Sequence, residues 1–199
     1  MGPTLTFRTN FARVLAVVIA VVTLAALYFF AAQGGVRELL RSGPTALLGA
    51  ALGWALFWRP QVEVSDGGIT ITNILRTIHV PWPAFKGVDS QWSLRVETPG
   101  RTFTAWAVPA SSGMASRVRS TPRAALESAQ TPGRRALTEG GNADAAALAI
   151  AERLHKLRAA GYLKGTPREE IRPTVTPNRA VITVLAALAA LSVAGLVLG

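Results

Sequence analysis

Three long stretches of the chain carry no charged residue, and they lie towards its two ends. They are residues 14–32, 42–58 and 180–199. A membrane-spanning helix needs roughly 20 mostly apolar residues to cross about 30 Å of hydrocarbon. The second stretch is shorter than this, but Trp54 and Trp58 supply an aromatic anchor typical of a membrane interface. The pattern therefore predicts three transmembrane helices, with a cleaved signal peptide and buried core helices as the alternatives.

The positive charges beside these stretches predict how the chain is oriented. Arg13 precedes the first stretch, Arg59 follows the second and Arg179 precedes the third. Because positively charged residues concentrate on the cytoplasmic side of membrane helices, we expect the N-terminus and residues 59–179 in the cytoplasm. Residues 33–41 and the C-terminus are then expected outside. This arrangement is that of a multi-pass cell-membrane protein, with a helical hairpin in its first 58 residues.

The region after the second stretch changes from continuous apolar sequence to strict alternation, which is typical of strands with one buried face. Val62 and Val64 alternate with polar neighbours, and residues 66–68 have the composition of a hairpin turn. Alternation and further turns continue, so residues 59–109 are predicted to form five or six short antiparallel strands. Trp82 is expected at a corner between two prolines. The predicted core residues are Trp92, Leu94, Val96 and Phe103.

Residues 142–162 are predicted to form a helix that closes the β region. Asn142 is a suitable N-cap, and Ile150 and Leu154 recur at helical spacing. A single apolar stripe has to be buried against another element, and the open end of the β layer is the expected partner. Residues 163–179 then form a juxtamembrane linker before the last uncharged stretch.

Two segments of the predicted β region resemble a known family. The segments are PQVEVSDGGITITNILRTIHVPW and WSLRVETPGRTFTAWAVP, within residues 60–109. They resemble the bacterial pleckstrin-homology-like (PH-like) domains of actinobacterial membrane proteins, of the low molecular weight protein antigen 6 type. The features that carry the resemblance are Asp66-Gly67-Gly68-Ile69, Asn73, Arg76 and Val80-Pro81-Trp82.

The resemblance implies an antiparallel split barrel capped by a C-terminal helix, and a binding or scaffolding module without catalytic residues. The sequence departs from this family in two respects: we count one strand fewer than the usual seven, and the connection before the helix is long. The predicted fold class is therefore an α+β membrane protein with three transmembrane helices and a small PH-like β domain. Phosphoinositide-binding PH domains carry basic residues around the first hairpin, whereas this turn contains Asp66 and no basic residue. No inositol-phosphate site is therefore expected.

The long connection, residues 110–141, is rich in small and polar residues and has no sustained apolar periodicity. Its composition predicts a flexible basic insert. A further hypothesis is that its arginines contact anionic lipid headgroups, because juxtamembrane basic residues gain about 1 kcal/mol each near such a surface. The candidate lipid-contacting residues are Arg117, Arg119, Arg123, Arg134 and Arg135.

Small residues within the uncharged stretches are candidates for helix packing. Gly49 and Gly53 form a small-xxx-small pair, a spacing that lets helix backbones approach closely in lipid. Ala186, Ala190 and Ala194 repeat this spacing in the last stretch. Alanine-rich helices also produce such matches by chance, so both interpretations stay open. The stretches contain no Asp, Glu, Lys, Arg or His, which argues against a transporter or channel.

Composition and missing motifs exclude several kinds of chemistry. The 199-residue chain has no cysteine, which excludes disulfides, zinc–thiolate sites and cysteine nucleophiles. His79 and His155 have no second ligand at metal spacing, and no nucleotide-binding or nucleophile motif occurs. We therefore predict a non-enzymatic protein with no catalytic, metal-binding or cofactor-binding residue. The net charge of +10 suggests nucleic acid as a partner, but the charges are dispersed and no nucleic-acid motif occurs.

Two functional hypotheses follow from these patterns. In the first, the chain is a membrane-anchored, non-enzymatic PH-like binding or scaffolding module that faces the cytoplasm. Its candidate partners are the bilayer, anionic lipid headgroups and a membrane or cytoplasmic protein, bound at an exposed strand edge or the open mouth of the β layer. In the second, the chain is an accessory subunit of a larger membrane complex that assembles through its transmembrane helices.

Overall fold

A computed structural model describes residues 2–109, 143–163 and 171–198, and the chain divides into two compact units. The first unit, called the β module, comprises Met1–Thr9, Gln61–Asn73 and Thr77–Thr176. The second unit, called the helical unit, comprises Asn10–Pro60, Ile74–Arg76 and Pro177–Gly199. Each unit thus combines segments that are distant in the sequence.

The β module contains two sheets. The strands of the larger sheet are β1 (Leu5–Phe7), β2 (Gln61–Val64), β3 (Gly68–Thr72), β4 (Arg76–Pro81) and β8 (Thr174–Pro177). The strands of the smaller sheet are β5 (Gly87–Asp89), β6 (Ser93–Thr98) and β7 (Arg101–Pro109). Their orders are β1-β2-β3-β4-β8 and β5-β6-β7, with antiparallel pairing from β1 to β4 and from β5 to β7.

The buried side chains of both sheets form one hydrophobic core, and the alternation in the sequence explains which residues enter it. On β6, Leu94 and Val96 are fully buried, and Phe103 of β7 is buried beside them, as predicted. Trp92 was predicted in this core, and that prediction is wrong, because its side chain is 73% exposed. The alternation extends one residue beyond the strand: β6 begins at Ser93, so Trp92 lies in the preceding bend.

Two strands of the larger sheet come from segments outside the predicted β region. β1 pairs with β2 and buries Phe7, and β8 lies at the opposite edge of the sheet. β1 has only three residues, and β8 is exposed at all four of its positions, so neither strand shows the alternation of a half-buried strand in the sequence. The sheet therefore begins before the first uncharged stretch and ends just before the last one.

The helix α2 (Ala143–Ala159) packs against the core. Ala143, Ala146 and Ile150 are fully buried in the same cluster as the strand residues, as the apolar stripe predicted. The predicted N-cap, Asn142, lies outside the described residues. At the other end Gly161 has a φ of 78°, a left-handed conformation that favours glycine, and the helix ends two residues before it at Ala159.

The helical unit consists of α1 (Asn10–Gly53), a π-helical turn (Trp54–Trp58) and α3 (Arg179–Leu198). Gly35 leaves the helical conformation at φ 63° and ψ −156°, and this break divides α1 into two arms. A Cβ atom placed on Gly53 would lie 2.8 Å from Ile19, and one on Gly43 would lie 3.6 Å from Leu27. The two arms therefore pack against each other as an antiparallel hairpin.

Helix α3 packs against the second arm of α1. A Cβ atom placed on Gly195 would lie 2.5 Å from the carbonyl oxygen of Arg41, so the two backbones are in close contact. By length and composition, two helical stretches could cross a membrane, namely Asn10–Trp58 and Arg179–Val197. The first of them contains the break at Gly35.

Three short connections join strands of the sheet to these helices. They are Arg8-Thr9 between β1 and α1, Arg59-Pro60 between the π-helical turn and β2, and Asn178 between β8 and α3. Each connection has at most two residues.

The strand register places all three connections at the same end of the larger sheet. Phe7, the last residue of β1, pairs with the second residue of β2, and Gln61 pairs with Thr72. Thr72 pairs with Thr77, whose carbonyl oxygen accepts a hydrogen bond from the Thr176 hydroxyl at 3.2 Å. We call this end of the sheet the connecting end.

Candidate functional site

The free edge of β7 is closed by a side chain from the larger sheet. Asn73 follows β3, and its Nδ2 donates a hydrogen bond to the carbonyl oxygen of Thr104 at 2.8 Å. The backbone N–H of Trp106 donates to Oδ1 of the same Asn73 at 2.9 Å. A single side-chain amide thus replaces the donor and acceptor of a neighbouring strand. Strand addition at this part of β7 would require that both bonds break.

A second side chain at the connecting end bonds to the same strand. Thr9 donates from its hydroxyl to the carbonyl oxygen of Ala107 at 2.8 Å. Asn73 and Thr9 lie next to the ends of β3 and β1, so both place β7 at the connecting end. Asn73 is one of the residues that carry the family resemblance, and its two bonds give that residue a structural role.

The first hairpin is bound to two other parts of the β module through Asp66. Its carboxylate accepts a hydrogen bond from Arg153 Nη1 of α2 at 2.6 Å and another from the backbone N–H of Gly2 at 3.0 Å. Arg153 also donates to the carbonyl oxygen of Pro3 and is only 8% exposed. This ion pair joins the N-terminal segment, the β2–β3 turn and the capping helix. Sequence reasoning did not identify Arg153, because helical spacing alone does not show that a charged residue is buried.

The corner after β4 is fixed by Trp82, as predicted. Its indole Nε1 donates a hydrogen bond to the carbonyl oxygen of Ser65 at 3.0 Å, and the side chain is buried. The ring packs edge-on against Phe85, with 5.9 Å between the centroids and an interplanar angle of 68°. Trp82 therefore satisfies its polar atom while filling the core, as a buried tryptophan requires.

The mouth of the β layer is covered by α2. Ser90, just after β5, donates from its hydroxyl to Asp144 Oδ1 at 2.8 Å, which fixes the first turn of the helix. The buried residues of α2 fill the space between the sheets. Binding at the mouth would therefore require displacement of α2, and the strand edges are the more accessible surfaces of the module.

The predicted site residues have different outcomes. The five arginines of the insert, Arg117, Arg119, Arg123, Arg134 and Arg135, lie outside the described residues. Gly53 is buried against Ile19, so it packs within the hairpin. Gly49 is exposed, with no atom within 4 Å of a Cβ placed there. A helix-packing role for Gly49 toward another chain stays a prediction.

The described residues contain no group of three or more potential metal-ligating side chains. His79 on β4 is hydrogen-bonded through Nδ1 to the hydroxyl of Thr70 on the neighbouring strand at 3.0 Å. The hydrogen bond and positive charge of Lys156 lower the pKa of Glu152, but this pair lies on the exposed face of α2. These titratable groups are parts of the scaffold and do not converge on a common site.

The comparisons with known proteins agree with this architecture. Residues 59–135 match the family model described as a bacterial PH domain, which confirms the resemblance seen in the sequence. The match extends past residue 109 into the insert and does not distinguish the actinobacterial type. Among curated proteins and among solved structures, no match was found. The PH-domain family is generally non-catalytic, and the match to a bacterial PH domain suggests a binding or scaffolding module.

Proposed function

We propose that the chain is a membrane-anchored, non-enzymatic PH-like module that binds another protein on the cytoplasmic side of the cell membrane. The observation that carries this proposal is the position of the three connections at one end of one sheet. A module joined to apolar helices through such short links is held close to the membrane surface. We expect it to act as a docking site there. We also propose that the PH-like domain is of the actinobacterial type.

The proposed topology has three membrane spans, formed by the two arms of α1 and by α3. With a rise of about 1.5 Å per residue, each of them approaches or exceeds the roughly 30 Å of hydrocarbon. Because all three connections lie at one end of the sheet, the N-terminus and residues 59–179 fall on one side. Residues 33–41 and the C-terminus then fall on the other side.

Side chains near the connections support this orientation. The Arg13 guanidinium lies over the Trp58 ring, 5.3 Å from its centroid, so the start and the end of the hairpin meet at an aromatic and basic boundary. Arg179 opens α3. Tryptophan is typical of either membrane interface, and arginine in these positions is typical of the cytoplasmic one.

The ligand that fits the module best is an extended peptide segment of a protein partner. The edge of β7 is occupied by Asn73 and Thr9, and the mouth is covered by α2. β8, by contrast, is the last strand of the larger sheet, and Thr174, Val175 and Thr176 are all exposed. A strand that ends a sheet can accept a peptide through its backbone groups, with side chains adding specificity.

Mild-detergent purification of the full chain, followed by mass spectrometry, tests this proposal. We expect a stoichiometric protein partner that is retained by the wild type and lost in Val175→Lys, because a lysine on an edge strand opposes strand addition. Thr102→Lys, on an exposed position of β7, is the matched control and should retain the partner. If Val175→Lys and Thr102→Lys retain the partner equally, docking on β8 is wrong.

The second candidate function is that of an accessory subunit assembled through the helices. Ala186, Ala190 and Ala194 lie on the exposed side of α3, and Gly49 is exposed on the second arm of α1. Small residues on a free helix face allow close approach of another membrane helix. A partner that is lost in Gly49→Leu but retained in Val175→Lys and after deletion of residues 112–140 would favour this function over the first.

The arginines of the insert remain candidate contacts for anionic lipid headgroups. Limited trypsin digestion of the full chain, reconstituted in nanodiscs with and without anionic lipid, tests this part of the proposal. In low salt, we expect anionic lipid to protect the arginine sites of the wild-type insert from trypsin. High salt should remove this protection. Protection that does not change with salt would contradict an electrostatic contact.

A further inference from the structure

Four arginines of the helical unit lie near the starts of α1 and α3 and near the end of the hairpin. Arg13 is in the first turn of α1, and Arg179 is the first residue of α3. Arg59 follows the π-helical turn, and Arg76 is the last residue of the short loop segment Ile74–Arg76, which belongs to the same unit. We call these four residues the arginine cluster.

Contacts within the helical unit relate the start of α1 to the end of the hairpin and to the loop segment. The Arg13 guanidinium lies over the Trp58 ring, 5.3 Å from its centroid, and Arg59 is the next residue along the chain. Arg59 donates a hydrogen bond from Nη1 to the carbonyl oxygen of Ile74 at 3.3 Å. The side-chain amide of Asn178 donates to the same oxygen, also at 3.3 Å. This carbonyl oxygen therefore joins the end of the hairpin to the residue before α3.

A second bond places the other two arginines beside this junction. The backbone N–H of Asn178 donates to the carbonyl oxygen of Leu75 at 2.8 Å. Arg76 directly follows Leu75, and Arg179 directly follows Asn178. The side chains of both arginines are exposed. All of these contacts lie within one compact unit, so the helical unit by itself holds the four arginines at one place.

The helical unit supplies little negative charge of its own. Its sequence segments contain a single acidic residue, Glu38, which lies just after the break at Gly35, at the opposite end of the hairpin. The carboxylate of Glu38 accepts a hydrogen bond from the Ser42 hydroxyl at 2.6 Å. At the cluster, Arg13 Nε is buried and has no hydrogen-bond acceptor among the described residues. The cluster is therefore a concentration of positive charge that the helical unit does not neutralise.

The starts of two helices add to this positive charge. The first turn of a helix carries a partial positive charge, which acidic side chains and bound anions stabilise. Neither α1 nor α3 has an acidic residue in its first turn, and each has an arginine there. An arginine at this end of a helix is unfavourable unless an anion lies close by. The two helix starts and the arginine side chains thus favour the same kind of ligand.

We propose that the arginine cluster binds the phosphate group of an anionic phospholipid. This inference rests on the proposed membrane anchoring and assigns a lipid site to the helical unit, separate from the arginines of the insert. Guanidinium groups bind phosphate oxygens through paired, charge-assisted hydrogen bonds, and basic pockets between membrane helices bind anionic headgroups. Tryptophan residues such as Trp58 lie at the depth of the headgroups. A lipid is the expected source of the phosphate, because headgroups surround the ends of membrane helices at high local concentration.

Arg37 and Arg41 provide a matched comparison for Arg76 and Arg179. Both are exposed, belong to the helical unit and carry the same charge. They lie at the start of the second arm of α1, which differs from the other two helix starts because it contains Glu38. Removal of these two arginines changes the net charge of the chain by the same amount without altering the cluster.

Native mass spectrometry of the full chain with added lipid tests the inference. We expect the wild type to bind phosphatidylglycerol more tightly than phosphatidylcholine with the same acyl chains. The double variant Arg76→Gln/Arg179→Gln should weaken phosphatidylglycerol binding about 30-fold, which corresponds to about 1 kcal/mol for each arginine. The control Arg37→Gln/Arg41→Gln should weaken it less than about twofold. Equal losses in the two double variants, or a wild type without preference for phosphatidylglycerol, would overturn the inference.

A second variant and two further measurements make the test decisive. Arg13→Gln should weaken phosphatidylglycerol binding about fivefold, and unchanged binding in this variant and in Arg76→Gln/Arg179→Gln would contradict the site even if one of them were perturbed. Inorganic phosphate at the lipid concentration should not displace the lipid, and displacement would show that free phosphate is the ligand. Alkaline carbonate extraction of cell membranes tests the anchoring separately. Protein that resists extraction but has no lipid preference disproves only the site, and protein that is extracted disproves the proposed anchoring.

Discussion

The β module and the helical unit distribute their apolar side chains in opposite ways. In the β module, the isoleucine, leucine and valine side chains of β2, β3, β4 and β6 are fully buried, and most of the polar residues between them are more exposed. In the helical unit, most large apolar side chains are exposed, including Leu24 at 66%. Composition alone would not separate the two regions, since both are rich in aliphatic residues. The difference indicates that the two regions are built for different surroundings.

If the helical unit lies in a bilayer, as proposed, the two regions also depend on different interactions. Removal of apolar surface from water stabilises the β module. Within a bilayer this driving force between helices is absent, and close packing of small residues replaces it. Gly53 against Ile19 and Gly195 against the Arg41 carbonyl are contacts of this kind. Substitutions that test each interaction separately can therefore confirm or break the comparison.

The largest expected effect comes from a matched pair of leucine substitutions. Leu94→Ala should lower the free energy of unfolding of the β module by about 2–5 kcal/mol, because it leaves a cavity in a fully buried position. Leu24→Ala, on the exposed surface of α1, should change it by less than about 0.5 kcal/mol. Denaturant unfolding of the full chain in detergent, followed by near-UV circular dichroism, measures both. Equal losses would mean that the two regions do not differ as proposed.

The next effect concerns the buried ion pair of the β module. Arg153→Ala should cost about 1.5–3 kcal/mol, because it removes the charged donor from Asp66 and from the Pro3 carbonyl. Protection of the Gly2–Phe7 segment from hydrogen exchange should fall at the same time. Lys156→Ala, which breaks an exposed ion pair on the same helix, is the control and should leave that protection unchanged. Unaltered exchange in Arg153→Ala would show that the ion pair does not hold the N-terminal strand.

Overpacking tests the helical unit. Gly195→Ala should destabilise the packing of α3 on α1 by about 1–3 kcal/mol, because the added methyl group meets a backbone carbonyl at 2.5 Å. Gly49→Ala adds the same methyl group where nothing lies within 4 Å and should have little effect. Unfolding in mixed micelles of increasing SDS fraction compares the two variants. If Gly49→Ala were the more destabilising, the described helix packing would be wrong.

The smallest effect is a pH dependence on the surface of α2. Lys156 holds the pKa of Glu152 below its ordinary value of 4.5 in the folded state, through a hydrogen bond at 2.7 Å and its charge. The pair therefore stabilises the fold above that pH, and the stabilisation is lost as the pH falls through the lowered pKa. Since both side chains are more than two-thirds exposed, the contribution should stay below about 0.5 kcal/mol and decrease with salt. Urea titrations of the wild type and Lys156→Ala should differ most at neutral pH, and the difference should shrink as the pH falls through the lowered pKa of Glu152.

The sequence predicted those parts of the fold that depend on local patterns. Alternation identified Leu94 and Val96 as core residues, flanking prolines placed Trp82 at its corner, and helical spacing placed Ile150 against the sheets. Each of these signals lies within a few residues. The same local rule failed at Trp92, because alternation does not show where a strand begins.

The features that the sequence did not predict depend on distant contacts. β1 and β8 are short strands that exist because they pair with β2 and β4, far away in the sequence. Arg153 and Asn73 have their roles because they bond to backbone groups of distant segments. Periodicity in the sequence does not reveal such bonds.

Cysteine accessibility in intact cells is the most direct test of the central claim. That claim is that three membrane spans hold the β module on the cytoplasmic side. Single cysteines at Arg37, Thr102 and Val197 sample the hairpin turn, the β module and the end of α3 in a chain without native cysteine. With a membrane-impermeant maleimide, we predict labelling of Arg37→Cys and Val197→Cys in intact cells. Thr102→Cys should react only after the cells are lysed. Labelling of all three in intact cells, or of Thr102→Cys alone, would contradict the account.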